Sequence, residues 1–246
     1  MVHTLNVVRL SVVPDDRRER RRDLRRQRYL GAASRIIDRD GLAGVTMQAI
    51  ADELDCAVGT IYTYFPSKSA LLAALTQQGI ETLRSSYATA RQSWDPFLES
   101  EHLESGLEPL VHLLAYGAHF AAASVVFADE FALQRALLTG AGTSLEMVVA
   151  LLEVPRTLVL DATDAAVLVP AEPLERALRW VASLDAVLLL ERLAPLDRHL
   201  FRAPHHGRAL TADLLVGWGA DRAQVEVAAT QVERLAALGP MAPPPG

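Results

Sequence analysis

The chain is nearly devoid of cysteine. Its 246 residues hold one, Cys56, which excludes an intramolecular disulfide framework and any zinc site built on several cysteines. A reducing, cytoplasmic compartment suits such a lone thiol. Long apolar runs are missing as well. Those such as Ala186–Leu190 are core-helix length, far short of the roughly 20 uninterrupted apolar residues of a membrane span. The N-terminal MVHTLNVVRLSVVPDD lacks the cationic start and long apolar run of a signal peptide. Nothing matches a Ser-His-Asp arrangement, a phosphate-binding loop or a zinc-hydrolase signature. No catalytic residue, metal ligand or cofactor is therefore assigned. His199, His205 and His206 fall in a connector without a supporting carboxylate or thiolate pattern, so they are not read as a metal site. No internal repeat is visible.

What the chain does have is apolar material and unevenly divided charge. Half of its residues are hydrophobic, and its length exceeds what one small domain needs. A net charge of −6, taken whole, argues against a polyanion partner. The division changes that reading. Residues 1–84 carry 13 Lys+Arg against 10 Asp+Glu, a net of +3, and residues 85–246 carry 11 against 20, a net of −9. A basic end on an acidic body presents one face to phosphate and repels it elsewhere.

Taken in order, the chain reads as all-α. Residues 1–16 are expected to be a disordered arm. Arg17–Arg28 (RRERRRDLRRQR) holds eight arginines. It reads either as a solvated helix start or as a flexible basic arm that touches phosphates or enters a minor groove. Leu24, Tyr29, Ala32, Ala33, Ile36 and Ile37 make the apolar face of a helix over 23–39, which Gly41 ends. After Pro66, Ser67 can cap a helix from Lys68 to about Gln92, and Trp94-Asp95-Pro96 breaks it. Leu107–Gly140 reads as one long or two shorter helices with a kink near Ala128-Asp129. Thr143–Val154 is helical and ends near Pro155. The segment 156–169 is ambiguous between a short hairpin and a helix with a loop, with the helix preferred. Glu172–Leu193 is a long helix, Pro195–His206 a connector, and Ala209–Trp218 and Asp221–Leu238 two further helices. The Pro-rich tail 239–246 is expected to be disordered.

The stretch Thr46–Lys68 (TMQAIADELDCAVGTIYTYFPSK) organises the rest. Thr46 can cap a short helix carrying Met47, Ile50, Ala51 and Leu54. Asp55-Cys56-Ala57 is long enough only for a turn. Val58–Phe65 then makes a second helix with Thr60, Thr63 and Tyr64 outward and Ile61 and Phe65 inward. This is helix-turn-helix spacing, in which the second helix enters the major groove.

The motifs Thr46-Met47, Ile50-Ala51, Gly59-Thr60-Ile61-Tyr62, Tyr64-Phe65 and Ser67-Lys68 together resemble the DNA-binding domain of the TetR family of bacterial regulators. Gly41 at the end of the preceding helix and Leu71-Leu72 after it share the likeness, which covers roughly residues 23–80. It implies a homodimeric repressor, with an N-terminal helix-turn-helix domain (17–75) that binds a palindromic operator. A helical domain (76–238) would sense a small-molecule effector and dimerise. Carried over position by position, Thr46 and Lys68 would meet phosphates. Val58, Gly59, Thr60 and Thr63 would lie on the groove face, and Tyr62 and Tyr64 would pack or reach the backbone. Two positions depart from the family pattern. Asp55 stands where glycine is usual, and Ala57 stands where a capping serine or threonine is common. Cys56 reads as a small core residue.

The second half speaks less clearly. On a continuous helix over 110–134, His112, Tyr116, His119, Phe120, Ala123 and Phe127 share one sector, and Glu130 and Gln134 continue it. That face is a candidate ligand wall, with ordinary core packing as its alternative. Trp180 and Asp185 are further ligand candidates, although a carboxylate on an apolar helix is more often paired with an arginine. Glu172–Leu193 and Leu210–Trp218 are the dimerisation candidates. Besides the ligand-released repressor, two readings remain. One is a DNA-binding regulator answering to a protein partner or acting as an activator. The other is an enzyme using the His112/His119 face.

Overall fold

The computed structural model describes residues 14–104, 106–138, 144–193, 195–197, 199–201 and 203–242. Among them all regular structure is helical, and the chain divides into two compact units, Met1–Leu75 and Thr76–Gly246. The N-terminal arm expected over 1–16 lies outside the described residues up to residue 13, and so do residues 243–246 of the tail.

The first unit holds α1 (Pro14–Gly44), α2 (Met47–Glu53), α3 (Val58–Tyr62) and the opening turns of α4 (Lys68–Ser100). Tyr29, Leu30, Ala32, Ala33 and Ile36 bury one face of α1 against Val45, Met47, Ile50, Ala51, Ile61, Phe65 and Leu71. The helix starts well before Asp23, because arginine is a good helix former and Pro14 tolerates a first helical position. Gly41 leaves helical geometry at φ 71°, a value glycine reaches without strain. Arg35 and Arg39 bond the Glu53 carboxylate at 3.1 and 3.2 Å and so tie α1 to α2. Their hydrogen bonds hold that carboxyl below its ordinary range.

α3 is shorter than expected. It ends at Tyr62, and Thr63-Tyr64 form a turn that still buries Phe65. Pro66 disfavours helical geometry at the residue before it. In the other direction, α4 passes through the expected break at Pro96 and runs to Ser100. Proline removes one helical hydrogen bond, but Gln92 and Pro96 are exposed, so water can serve the freed carbonyl. Trp94 and Leu98 on the inner side are buried and hold the helix in place.

The second unit is built around α5 (Leu107–Val126), packed by α8 (Glu153–Asp164), α9 (Pro173–Leu189), α10 (Ala203–Gly217) and α11 (Arg222–Leu238). By length and composition α5 could cross a membrane, yet two thirds of its apolar window is buried among these helices. Gly117 permits one close approach. A Cβ there would stand 2.6 Å from Thr211 Oγ1, the atom that accepts the Trp180 indole N–H at 3.1 Å.

α6 (Ala128–Leu138) follows α5 after a break at Phe127 (φ −115°, ψ 46°), so the sector drawn on one continuous helix does not extend past that residue. Pro155 does not end a helix. It sits in the first turn of α8, where proline is tolerated, and α7 (Leu145–Leu151) ends ahead of it. The ambiguous segment is helix to Asp164 and then a loop. α9 gives way to a 3-10 turn over Leu190–Leu193, and α10 begins at Ala203, inside the expected connector. Of the tail, Met241 and Ala242 are buried, and the Met241 carbonyl oxygen lies 2.7 Å from His119 Nδ1. Contact with the core orders a segment that composition alone marks as disordered.

Candidate functional site

The first unit exposes its polar side chains where the backbone has already bound part of each one. Thr46 caps α2, and its Oγ1 accepts the Ala49 N–H at 2.9 Å. Its own hydroxyl proton remains to be donated outward, as to a phosphate oxygen. The turn to α3 rests on Asp55 at φ 49°, the left-handed geometry that aspartate tolerates better than most residues. Ala57, the N-cap of α3, makes no side-chain cap bond.

Gly59, Thr60, Tyr62 and Thr63 are exposed, and Val58 is half-buried. No atom lies within 4 Å of a Cβ built on Gly59, so this stretch of backbone stands clear. Thr63 Oγ1 donates to the Thr60 carbonyl at 2.6 Å, which leaves its oxygen lone pairs and methyl facing out. Such a group can accept from a cytosine or adenine amino group or touch a thymine methyl. The two tyrosines differ. Tyr64 packs on Tyr29 with ring centroids 5.2 Å apart, whereas Tyr62 is 50% exposed.

Lys68, the chain's single lysine, is the first residue of α4. Ser67 Oγ beside it accepts the Ala70 N–H at 3.1 Å. A cation at a helix N-terminus opposes the helix dipole, so both favour an anion placed there. Thr46, Val58, Gly59, Thr60, Tyr62, Thr63, Tyr64 and Lys68 thus all belong to the capped α2–α3 hairpin or the start of α4.

The second unit contains an apolar cavity of about 40 Å³, room for a few waters at most. Tyr87 of α4, Tyr116, His119 and Phe120 of α5, and Phe131 of α6 form its aromatic walls. The Tyr87 hydroxyl is buried without a hydrogen-bond partner among the described residues. Burial pushes the Tyr87 and Tyr116 hydroxyls to higher pKa and pulls His112 and His119 below the ordinary histidine range. With Nδ1–H donated to Met241, a neutral His119 keeps Nε2 as an acceptor.

Of the ligand candidates read from sequence, Tyr116, His119 and Phe120 line this cavity. His112, Phe127, Trp180 and Asp185 do not. His112 approaches Glu108 at 3.5 Å, Phe127 is buried at the break after α5, and Trp180 bonds Thr211. Asp185 pairs with Arg135 at 3.2 Å. His112 and His119 take separate partners and do not bond each other. Tyr87 and Phe131 were missed. Tyr87 was legible in principle, because Ile80, Leu83, Arg84 and Tyr87 repeat at helical spacing on α4 and all line the cavity.

Known proteins match the two units differently. Residues 30–75 match the bacterial regulatory proteins of the tetR family. The HTH-type transcriptional repressor KstR of Mycobacterium tuberculosis (strain ATCC 25618 / H37Rv) is 50% identical over 50 residues, which are 20% of this chain and 23% of that protein. The chain thus matches less than a quarter of that relative's length. Two solved structures share the fold over most of the chain. One is SmeT, the repressor of the Stenotrophomonas maltophilia multidrug efflux pump SmeDEF, with a TM-score of 0.56 and 20% identity over 77% of this chain and 89% of that one. The other is RolR in complex with resorcinol, with a TM-score of 0.55 and 18% identity over 86% and 96%. At these identities the likeness is one of fold.

Proposed function

We propose, from the match of residues 30–75 to the tetR family of bacterial regulatory proteins, that the chain is a cytoplasmic, homodimeric transcriptional repressor released from its operator by a small molecule. The capped α2–turn–α3 geometry, with a polar outer face and Lys68 beside it, is the observation that carries this reading. Thr46 and Lys68 position the unit on phosphates. Val58, Gly59, Thr60 and Thr63 face the bases, and the exposed Tyr62 reaches the backbone. Paired recognition helices in a dimer match a palindrome read in successive major grooves. Leu178 and Leu189 leave part of α9 apolar and exposed, which suits packing against a second copy.

The second unit takes the sensing role. Its aromatic cavity suits a small, largely apolar ligand able to bond Tyr87 or His119, and RolR is a structural neighbour solved with resorcinol. The 40 Å³ cavity must widen to admit such a ligand. Ile80, Leu83, Arg84 and Tyr87 on α4 line it, and Lys68 opens the same helix. A ligand favouring the widened state would shift the protein toward it and weaken DNA binding through that differential affinity. Selection of bound duplexes from a random pool, followed by a screen for compounds that release them, tests both halves. A palindromic consensus is expected. Recovery of no enriched sequence would refute the operator-binding reading.

A further inference from the structure

Residues 17–28 of α1 are helical and every one is exposed. Among the described residues, this half of the helix meets the core only where the Arg26 guanidinium lies over the Phe65 ring, 5.3 Å from its centroid, so packing does not explain its other arginines. At about 100° per residue, Arg18, Arg21, Arg22, Arg25 and Arg28 fall within a sector of about 120°. Glu19 and Asp23, the two acids of the run, point away from it. Neighbours three and four apart on that stripe are all cationic and repel one another. No ion pair joins these five to an acidic side chain among the described residues. Such a stripe is one-sided: the acids that would neutralise it stand on the other face.

Its direction is informative. The stripe shares its azimuth with Ala32 and Ile36, seven and eleven residues beyond Arg25, which are buried in the first unit. It is therefore the outward continuation of the face that α1 turns to α2 and α3. At its inner end Arg25 and Arg28 line an open cleft of about 350 Å³ together with Tyr29, Asp55 and Thr60, the last on the recognition helix. From Arg18 to Arg28 the stripe runs about 15 Å, several phosphate steps along a DNA strand.

We infer that the exposed half of α1 is a second DNA-contacting element, an arginine-faced helix lying along the phosphate backbone that flanks the site read by α3. This rests on the DNA-binding reading above and extends it. The contacts are to phosphate alone, so they add affinity and salt dependence without adding sequence preference. A helical stripe also differs from a flexible arm inserted in a minor groove, which would favour A·T-rich flanks.

The test compares two full-length variants of equal net charge by fluorescence anisotropy on the selected duplex and on a random one, across salt. Arg21→Gln/Arg25→Gln removes two stripe residues. Arg17→Gln/Arg20→Gln removes two that lie off it, with circular dichroism checking that both variants fold. The stripe pair should reduce the slope of log K against log salt by about 1.8 per subunit, at about 0.9 per phosphate contact, on both duplexes. The off-stripe pair should leave the slope nearly unchanged. Equal slopes for the two variants overturn the inference while leaving the operator reading intact. A loss confined to A·T-rich flanks overturns it in favour of groove insertion. A wild-type chain that binds neither duplex overturns the underlying reading, and this inference with it.

Discussion

The two units treat polar side chains in opposite ways. In the first, polar groups sit on the surface and are locally satisfied: Thr46 by Ala49, Ser67 by Ala70, and Thr63 by Thr60. In the second they are drawn inside, and some have no hydrogen-bond partner among the described residues, including Tyr87 Oη, His112 Nδ1 and Ser86 Oγ. A surface that reads a polymer needs side chains aimed outward and held by short-range bonds. A cavity that senses a small molecule can leave a buried group unsatisfied, because the ligand then supplies the missing bond. Stability should therefore reside in the packing of the second unit, and specificity in a few exposed atoms of the first.

Trp180→Ala tests that contrast most severely. The side chain is fully buried, touches Tyr116, and donates to Thr211 beside the close approach at Gly117. Truncation of a buried tryptophan costs about 3–5 kcal/mol, and urea unfolding of the full chain should show that loss. A cost below about 1 kcal/mol would mean that the second unit is not held by its core, and the contrast would break.

In the first unit the corresponding lesions should spare stability and alter binding. Lys68→Ala should weaken operator and random DNA alike, since an ammonium at a helix N-terminus meets only phosphate. Thr63→Ala should cost about 1–2 kcal/mol of discrimination between operator and random DNA, with little change in melting temperature. Equal losses on both duplexes from Thr63→Ala would remove its base-reading role.

The sequence made these two units unequally legible. Caps, turns and exposed faces are set by residues a few positions apart, so Thr46, Ser67 and the outward threonines could be placed without coordinates. Gly41 and Asp55 were readable for the same reason, as positions that need or tolerate left-handed geometry. The cavity depends on α4, α5 and α6 meeting, and periodicity on one helix cannot show which neighbour covers it. Hence Tyr116, His119 and Phe120 line the cavity beside Tyr87 and Phe131, which periodicity did not single out, while Trp180 bonds Thr211 and Asp185 takes the arginine partner that its place on an apolar helix suggested. Prolines misled in both directions. Pro96 was tolerated where solvent serves the carbonyl, and Pro155 starts a helix rather than ending one.

Acid should separate the units next. The first has no histidine beyond His3, which lies outside the described residues. The second buries His112 and His119, whose pKa values burial lowers. The folded state then binds fewer protons than the unfolded chain, so stability is complete above the unfolded value near 6.5 and falls as pH drops below it. One pH unit below that value the loss is at most about 1.4 kcal/mol per histidine. Urea midpoints at pH 7.5 and 5.5 should differ accordingly, and His112→Gln/His119→Gln should shrink the difference. An unchanged gap in that double variant would place the acid sensitivity elsewhere.

The smallest effect is the most diagnostic of the first unit, because it is a gain. Ala57 occupies the N-cap of α3 in extended geometry (φ −69°, ψ 130°) and bonds nothing with its side chain. The backbone there is already that of a capping residue, so Ala57→Ser needs no rearrangement to accept an N–H of the first turn. It should stabilise the unit by about 0.5–1 kcal/mol, read as a higher urea midpoint. The serine hydroxyl would also have a proton to donate, as Thr46 does, so binding to operator and random DNA should tighten together. Stabilisation without tighter binding would mean that the start of α3 stands away from the phosphates, leaving Thr46 and Lys68 to anchor the unit and Thr60 and Thr63 to read the bases alone.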